Sequence, residues 1–267
     1  MNKPLIRRCA PEDAPGLAAL WHRVFEDPEE LALDFLRLLP ELGGGVLAEA
    51  EGTVAGAAYI VTALSLGALR PAYLYAVAVA PEYRGLGLGK ALTRAAAALG
   101  RELGADFICT LPANAGLYPW YEQLIGTRCA LYRKQERFPC RAGGAVVPLS
   151  AEEYGERREE LLAGLPHLSL HPAALRFEQC NCRRFGGDLL AVGDGIAAVY
   201  RDEDGLAVIR ELLCPAPSRR RELAAAAGAA LGAERVELYT PAPEGRAFLA
   251  AEPGFVPPDC VWNLCFD

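Results

Sequence analysis

The residues best suited to bind a phosphorylated ligand lie in one short segment, Arg84-Gly85-Leu86-Gly87-Leu88-Gly89-Lys90. Its three glycines let a ligand approach the backbone closely, because no Cβ atom stands in the way. Consecutive backbone N–H groups, together with the N-terminus of a helix, make a good site for a diphosphate. The arginine and the lysine at the two ends add fixed positive charge. The segment therefore predicts a turn that binds a diphosphate.

The flanking sequence predicts the elements that would hold this turn in place. Residues 74–79 form a short apolar and β-branched run that ends at Pro81, a pattern typical of a buried strand. After Lys90 the apolar residues recur at helical spacing, at Leu92, Ala95, Ala96, Leu99 and Leu103. The order is strand, glycine-rich turn and helix, which is the context that a phosphate-binding loop requires.

Three kinds of phosphate loop can be compared with this segment. A nucleotide P-loop needs glycine where Arg84 stands and a hydroxyl residue where Ala91 stands. A dinucleotide fingerprint needs glycine or alanine where Lys90 stands, and no opening βαβ unit precedes it. The third pattern, Val-x-Pro followed by Arg-x-x-Gly-x-Gly, fits residues 79–89 without a gap. In this the segment resembles the coenzyme A loop of the GNAT acetyltransferase superfamily; a glycine turn that binds nothing is the alternative.

The resemblance implies roles for particular residues. The end of the strand would bond the pantetheine arm through its main chain, and the turn would hold the diphosphate mostly through backbone groups. Carried over to this sequence, the implied cofactor-binding residues are Val77, Ala78, Val79, Arg84, Gly85, Leu86, Gly87, Leu88, Gly89, Lys90 and, on the pantetheine arm, Asn114. The implied co-substrate is acetyl-CoA, with no metal.

The segment from Asn114 to Thr127 resembles the GNAT pattern Asn…Tyr-x-x-x-Gly-Phe, in which the tyrosine protonates the departing thiolate. Tyr121 fits the tyrosine position, although Gly126 lies one residue further on than usual and Thr127 replaces the aromatic residue. Tyr118 is a rival for the same role, and core packing is the alternative for both. A tyrosine of pKa about 10 suits a thiol leaving group of pKa about 8.5, which needs only a hydrogen bond or a proton.

The general base is not identified by the sequence. Glu82 and Glu122 lie beside the motifs, but acidic residues there are more often solvated, and a chain of water molecules would serve equally well. No cysteine lies in the context of a nucleophile, so direct transfer is expected rather than a covalent acyl-enzyme.

The two halves of the chain carry similar landmarks in the same order. Ala78-Val79-Ala80-Pro81 parallels Leu212-Leu213-Cys214-Pro215, and hairpin turns are predicted near 51–52 and 193–195. The second half lacks the glycines, because Ala216-Pro217-Ser218-Arg219 stands at the corresponding place. The landmarks favour two related α/β units. The arrangement resembles tandem-GNAT proteins, and this resemblance implies an α/β (α+β) protein of two GNAT-like domains, each a mixed, mostly antiparallel twisted sheet flanked by helices. The predicted domains are 1–140, with the acetyl-CoA site, and 145–267, a degenerate copy. The alternative is that the halves are unrelated, because any two α/β halves have a similar order and spacing of elements.

Composition narrows the class of partner. The net charge is −7 and no basic stripe occurs, so nucleic acid is not expected as a partner. The N-terminal sequence lacks the apolar core of a signal peptide, and no apolar run reaches membrane-spanning length. The nine cysteines, an odd number, argue against a disulfide framework. His167 and His171 have the spacing of a helical metal pair but lack an obvious acidic third ligand, so a loop with two ordinary histidines is favoured.

These observations predict a cytoplasmic enzyme that acetylates an amine, on a small molecule or a peptide, from acetyl-CoA. The alternative is a non-catalytic sensor or interaction module that binds acyl-CoA. Transfer of a longer acyl chain is a third hypothesis, and the sequence does not identify the acceptor.

Overall fold

The computed structural model describes residues 4–263, and contacts divide the chain into two compact units. Unit 1 contains the residues up to Ala130 together with Phe248–Pro257, and unit 2 contains Leu131–Ala247 and the residues from Pro258 onward. The expected domains, 1–140 and 145–267, differ from these units in two short segments: residues 131–140 belong to unit 2, and residues 248–257 belong to unit 1. A strand's sequence shows that it is a strand, but it does not show which sheet the strand joins.

The first half of the chain alternates helices and strands around the segment of interest. In chain order its elements are β1 (Leu5–Arg8), α1 (Ala14–Phe25), α2 (Glu29–Leu42), β2 (Gly43–Ala50), β3 (Thr53–Val61), β4 (Leu64–Leu66), β5 (Pro71–Val79), α3 (Leu88–Glu102), β6 (Phe107–Thr110), α4 (Leu117–Ile125) and β7 (Arg128–Pro139).

The second half follows a closely similar order. Its elements are β8 (Val146–Pro148), α5 (Ala151–Leu162), β9 (Leu168–Leu170), α6 (Pro172–Arg184), β10 (Asp188–Val192), β11 (Gly195–Arg201), β12 (Ala207–Leu213), α7 (Arg220–Ala230), β13 (Arg235–Ala242) and β14 (Arg246–Ala251).

The sheet of unit 1 has the strand order β1-β2-β3-β5-β6-β14. Its neighbouring strands are antiparallel except β5 and β6, which are parallel and are joined through α3. The apolar residues of α3, including Leu88, Leu92, Ala96 and Leu99, pack on one face of this sheet. Helix α1 packs against β3 and β5, and helix α2 packs against β2 and β3. β14, which comes from the end of the chain, pairs with β6.

The sheet of unit 2 has the order β7-β13-β12-β11-β10-β8, with one parallel pair, β12 and β13. Helix α7 covers an apolar cluster on this sheet. Helix α5 begins at Ser150, whose hydroxyl accepts from the Glu153 N–H while the Glu153 carboxylate accepts from the Ser150 N–H. The α/β fold class, a mixed sheet flanked by helices, is confirmed.

Candidate functional site

β5 carries a β-bulge shortly before the glycine-rich turn. In its pairing with β3, Tyr75 lies opposite Tyr59 and Ala78 lies opposite Ala57, so two residues of β5 face one residue of β3. Ala76, within the bulge, has a φ of 46°, a value uncommon for a residue other than glycine. The bulge changes which side chains face α3: Leu74 packs there before it, and Val77 and Val79 pack there after it.

β5 and β6 separate at the same place. Their parallel pairing runs from Pro71–Phe107 to Leu74–Thr110, where β6 ends. Residues 75–79 of β5 continue beyond this pairing, and Tyr75, Ala76 and Val77 are only partly buried. A main-chain edge that has no strand beside it presents N–H and C=O groups to a ligand. Val77, Ala78 and Val79, the predicted pantetheine-binding residues, lie on this segment.

The glycine-rich turn depends on two residues in the left-handed region. After a 3₁₀ turn at Pro81–Tyr83 the chain passes through Gly85 and Gly87, each with a φ of 78°. A Cβ atom at either position would meet nothing within 4 Å. Glycine is therefore favoured there by backbone conformation, and the space in front of the turn is open.

Helix α3 begins directly after this turn, with Gly87 as its N-cap. The Ala91 N–H donates the first intrahelical bond to the Gly87 carbonyl, at 3.2 Å. The preceding N–H groups, from Leu88 to Lys90, have no carbonyl within the helix to bond. The first turn contains no acidic residue, so the positive end of the helix dipole is not neutralised within the helix.

The two cationic residues of the turn are exposed. Arg84 Nε donates to the Val79 carbonyl at 3.2 Å, which joins the turn to the end of β5. Leu88 is buried and anchors the start of α3 in the apolar cluster. The predicted diphosphate-binding residues, 84–90, thus lie together in one turn at the start of a helix. Their arrangement fits a phosphate group through backbone N–H groups and positive charge.

Tyr121 and Tyr118 point to opposite sides of β6. The Tyr121 hydroxyl lies near the Thr110 side chain, whose Oγ1 donates to the Leu74 carbonyl of β5 at 3.0 Å. The Tyr118 hydroxyl donates to the carbonyl of Phe248, in β14, at 3.2 Å. Burial raises the pKa of Tyr121, which keeps its hydroxyl protonated. Tyr121 therefore lies where β5 and β6 separate, and Tyr118 lies toward β14.

The end of α4 explains the departure from the family pattern. Gly126 follows Ile125 in the left-handed region, with a φ of 74°, and its N–H donates to the Glu122 carbonyl at 2.9 Å. Thr127 is fully buried, and its Oγ1 has no hydrogen-bond partner within residues 4–263. An aromatic side chain is thus replaced by a small buried one.

Asn114 has a local structural role in the absence of ligand. It is exposed just before α4, and its Oδ1 accepts from the Gly116 N–H at 3.0 Å. Its side-chain nitrogen is not used in that bond. The predicted contact to a pantetheine arm stays a prediction.

Neither candidate base has the surroundings of one. The pKa of Glu82 is lowered, mainly by its hydrogen bonds with Arg23, so it is a weaker base than an ordinary glutamate. Glu122 Oε1 accepts from Arg128 Nε at 2.7 Å. The Cys109 thiol is fully buried and its pKa is well above the ordinary value because of that burial, which makes it a poor nucleophile.

β12 of unit 2 also carries a one-residue bulge, without a left-handed residue and in different surroundings. Ile209 lies opposite Val199 and Glu211 opposite Ala198, so Arg210 forms a bulge, and pairing with β13 ends at Ile209. Both charged residues are buried. Arg210 Nη1 lies 3.3 Å from Glu178 Oε1.

The neighbouring Glu211 is held by helix α5. Its carboxylate accepts from Arg158 Nε at 3.0 Å and from the Tyr154 hydroxyl at 2.9 Å, and all three side chains are essentially inaccessible to solvent. Charged and polar side chains of unit 2 thus fill the space beside its bulge.

The start of α7 also differs from the start of α3. It has Glu222 in its first turn, and Arg219 pairs both with this carboxylate and with Asp194, the latter at 2.8 Å. The cation and the positive helix end are thus already matched by carboxylates of the protein.

Two absences hold for the part of the chain that the structure describes. No helix within it is both long and apolar enough to cross a membrane. It contains no group of three or more His, Cys, Asp or Glu side chains that could hold a metal ion. His167 instead hydrogen-bonds with the Leu165 carbonyl and Glu159, at 2.7 and 3.0 Å.

The sequence did not indicate a group of aromatic rings on the other face of the unit 1 sheet, around Trp21 and Tyr75. Two spacings pointed toward it: Tyr73 and Tyr75 are two apart on a strand, and Trp21 and Phe25 are four apart on a helix. The bulge at Ala76 was also not indicated, because alanine is an ordinary strand residue there.

Comparison with known proteins agrees with this geometry. Residues 12–126 match the model of the acetyltransferase (GNAT) family. The match covers less than half of the chain and lies within unit 1, so the resemblance to the family is confirmed for that segment. No curated protein matches the chain.

Solved structures of similar fold extend over nearly the whole chain. The GCN5-related N-acetyltransferase from Kribbella flavida is 19% identical, with a TM-score of 0.63 over 93% of this chain and 71% of that chain. The one from Anabaena variabilis is 18% identical, with a TM-score of 0.65 over 93% and 72%. The one from Sphaerobacter thermophilus is 17% identical, with a TM-score of 0.55 over 94% and 96%. At these identities the likeness shows a shared fold.

Proposed function

We propose that unit 1 transfers an acetyl group from acetyl-CoA to an amine, directly and within a ternary complex. One observation carries the proposal: a bulged strand with an open edge leads through a left-handed glycine turn into the N-terminus of α3. The open strand edge offers main-chain groups to the extended pantetheine arm, and the turn and helix start offer N–H groups to the diphosphate. The arm and the diphosphate follow one another in coenzyme A in this same order. The match of residues 12–126 to the GNAT family supports it.

The residues then have the following roles. Main-chain groups of Val77, Ala78 and Val79 bond the pantetheine arm, and the turn from Arg84 to Lys90 binds the diphosphate. Asn114 extends the hydrogen bonds to the arm through the side-chain nitrogen that its turn leaves unused. The backbone groups do most of this work, so the apolar side chains of Leu86 and Leu88 are compatible with it.

The chemical step joins the amine nitrogen to the thioester carbonyl carbon and breaks the carbon–sulfur bond. The electron pair of that bond leaves on sulfur, and the nitrogen loses a proton to solvent. Tyr121 donates a hydrogen bond or a proton to the departing thiolate. Its position beside the separation of β5 and β6 favours it over Tyr118, whose hydroxyl is directed to Phe248. Since Glu82 and Glu122 are both ion-paired, we propose water as the route for the proton.

We further propose that the second half of the chain is a degenerate copy of the first. The shared element order and the matching bulges in β5 and β12 support duplication. The buried Arg158, Glu211 and Arg210 and the carboxylates around Arg219 support loss of the site. Unit 2 then has a structural role or contributes to recognition of the acceptor.

The proposed setting is the cytoplasm, with a small-molecule or peptide amine as acceptor and no nucleic acid or membrane partner. The cysteines within the described residues are all free, which supports a reducing compartment; Cys265 lies outside those residues.

Titration calorimetry with coenzyme A and an assay of thiol release test the proposal. We expect one molecule of coenzyme A bound per chain, and release of free thiol from acetyl-CoA that depends on added amine. Two equivalent binding sites would contradict the degenerate copy. Binding without amine-dependent release, across a broad amine library, would favour a sensor of acyl-CoA, and faster release from longer thioesters would change the acyl group assigned.

A further inference from the structure

We infer that the amine acceptor carries an aromatic ring, which packs against Tyr75 at the opening between β5 and β6. The inference rests on the proposed function, since it concerns the second substrate of that site. It comes from a group of rings in unit 1 that we call the aromatic cluster: Trp21, Phe25, Phe35, Tyr59, Tyr73 and Tyr75.

The aromatic cluster is continuous through Trp21. The centroid of this ring lies 5.6 Å from Phe25, 5.4 Å from Phe35 and 5.6 Å from Tyr75. Phe35 lies 5.3 Å from Tyr75, edge to face. These are the separations at which aromatic pairs attract one another beyond simple area burial.

The cluster reaches solvent at two rings only. Trp21, Phe35, Tyr59 and Tyr73 are each less than 4% exposed. Phe25, at the end of α1, is 39% exposed, and Tyr75 is partly buried. A cluster of rings that serves only the core does not need a ring in contact with solvent, whereas a cluster that binds a ligand does.

Tyr75 lies at the place where an acceptor has to arrive. It directly precedes Ala76 of the bulge and is the first residue of β5 beyond the pairing with β6. The proposed acyl arm lies along the next residues, whose side chains Val77 and Val79 pack in the α3 cluster with Tyr121. Tyr75 belongs to the aromatic cluster instead, so it borders the opening from the side that the acyl donor leaves unoccupied.

The local charge agrees with an acceptor that arrives as an ammonium ion. The loop between α1 and α2 is fixed beside Trp21, because Trp21 Nε1 donates to Asp27 Oδ2 at 2.9 Å. Glu26, Glu29 and Glu30 are exposed around this loop, and the chain carries a net charge of −7. Long-range attraction would raise the encounter rate of a cationic amine, while the ring contact selects among such amines.

Three amines of graded character test this inference: 2-phenylethylamine, 2-cyclohexylethylamine and n-butylamine, each with acetyl-CoA. We expect the KM for the phenyl compound to be about 2- to 10-fold below that for the cyclohexyl compound, which has similar apolar bulk without aromaticity. The same order is expected for dissociation constants measured by calorimetry on the protein with bound coenzyme A. Equal constants for the two ring compounds would overturn the inference.

Variants locate the ring contact. Tyr75→Phe should keep the preference for the phenyl compound, and Tyr75→Leu should bring the two constants together. The matched control is Tyr73→Leu, the same change at a ring only 3% exposed; it should lower the melting temperature and leave the preference intact. Phe25→Ala provides a second test at an exposed ring that contributes less to folding, and it should weaken the preference. A preference that survives both Tyr75→Leu and Phe25→Ala would refute the ring contact.

The two proposals fail in different ways. Turnover without a preference for the aromatic ring would support acetyl transfer and refute the proposed class of acceptor. Ring-selective binding to the protein with bound coenzyme A, without any turnover, would retain the aromatic surface and refute acetyl transfer.

Discussion

The two bulged strands, β5 in unit 1 and β12 in unit 2, share a one-residue insertion and have opposite surroundings; only the β5 bulge contains a left-handed residue, Ala76. Each has one residue more than its antiparallel neighbour at the bulge, and each ends its pairing with the parallel neighbour just before the bulge. Around Ala76 the side chains of Tyr75 and Val77 are uncharged and partly exposed. Arg210 and Glu211 are charged and buried, and they pair with side chains of helices α6 and α5. A one-residue bulge alone therefore does not make a site, since the backbone within the bulge and the side chains beside it both differ between the units.

The starts of the following helices repeat this contrast. Gly85 and Gly87 leave space before α3, whereas Arg219, Asp194 and Glu222 form ion pairs before α7. At two independent features, the bulge and the helix start, unit 1 is thus open and unit 2 is filled by charged side chains. Variants that exchange or remove these features test the contrast.

The largest effect is expected from the tyrosine next to the open strand. Tyr121→Phe should lower turnover by about 10²–10⁴, the usual contribution of a general acid, and leave the affinity for coenzyme A nearly unchanged. Tyr118→Phe is the matched control and should have little effect. Because burial raises the pKa of Tyr121, the acid form persists above pH 10, so turnover should not fall with deprotonation until pH exceeds that value. If Tyr118→Phe shows the loss and Tyr121→Phe does not, the roles are exchanged.

A loss of stability of about 3–5 kcal/mol is expected when the filled bulge of unit 2 is disturbed. Arg158→Met leaves the Glu211 carboxylate buried without its cation. Arg157→Met is the control, since Arg157 is its exposed neighbour on the same helix. Denaturant unfolding followed by circular dichroism measures the difference. Equal stability of the two variants would mean that the network around Glu211 is not what keeps this region closed.

A glutamate in the glycine turn should reduce affinity for coenzyme A by on the order of 100-fold. Gly87→Glu places a side chain in the left-handed region and a negative charge toward the diphosphate. Ser218→Glu makes the same charge change before α7 and should leave affinity unchanged. If calorimetry gives the Gly87→Glu variant the same affinity for coenzyme A as the unaltered protein, the diphosphate does not bind at this turn.

A smaller effect, roughly tenfold or about 1.5 kcal/mol, is expected for Arg84→Ala, because one charge-assisted contact from an exposed side chain is lost. Arg219→Ala removes the cation at the corresponding place of unit 2, where carboxylates already pair with it. Its coenzyme A affinity should equal that of the unaltered protein. A similar loss in both variants would point to general attraction by positive charge.

The sequence predicted local features of the fold and missed those that depend on partners. Residues 74–79 were predicted as a strand and are the second half of β5; the helix after the glycines begins at Leu88 and ends at Glu102. Both hairpin turns were predicted at the observed places. Glycine, proline and apolar spacing act through neighbouring residues, which explains these successes.

Which strands pair, and where their pairing ends, could not be predicted from local sequence. The separation of β5 from β6, the bulge at Ala76 and the pairing of β14 with β6 involve residues far apart in the chain. Ala76 has a side chain that suits a regular strand, so its left-handed conformation is imposed by its neighbours. For the same reason the contacts of Tyr118 with Phe248 and of Tyr121 with Thr110 needed the tertiary structure.

The place of β14 has a consequence for biosynthesis. Phe248–Pro257 belong to unit 1, where Ala250 and Ala251 pair with Thr110 and Cys109 of β6. A ribosome makes these residues after all the other strands that the structure describes in both units. Until then β6 has one uncovered edge, and Tyr118 lacks the carbonyl that its hydroxyl contacts. Unit 1 is thus completed only after the described strands of unit 2 have been made, and a nascent chain released early would carry an adhesive strand edge on β6.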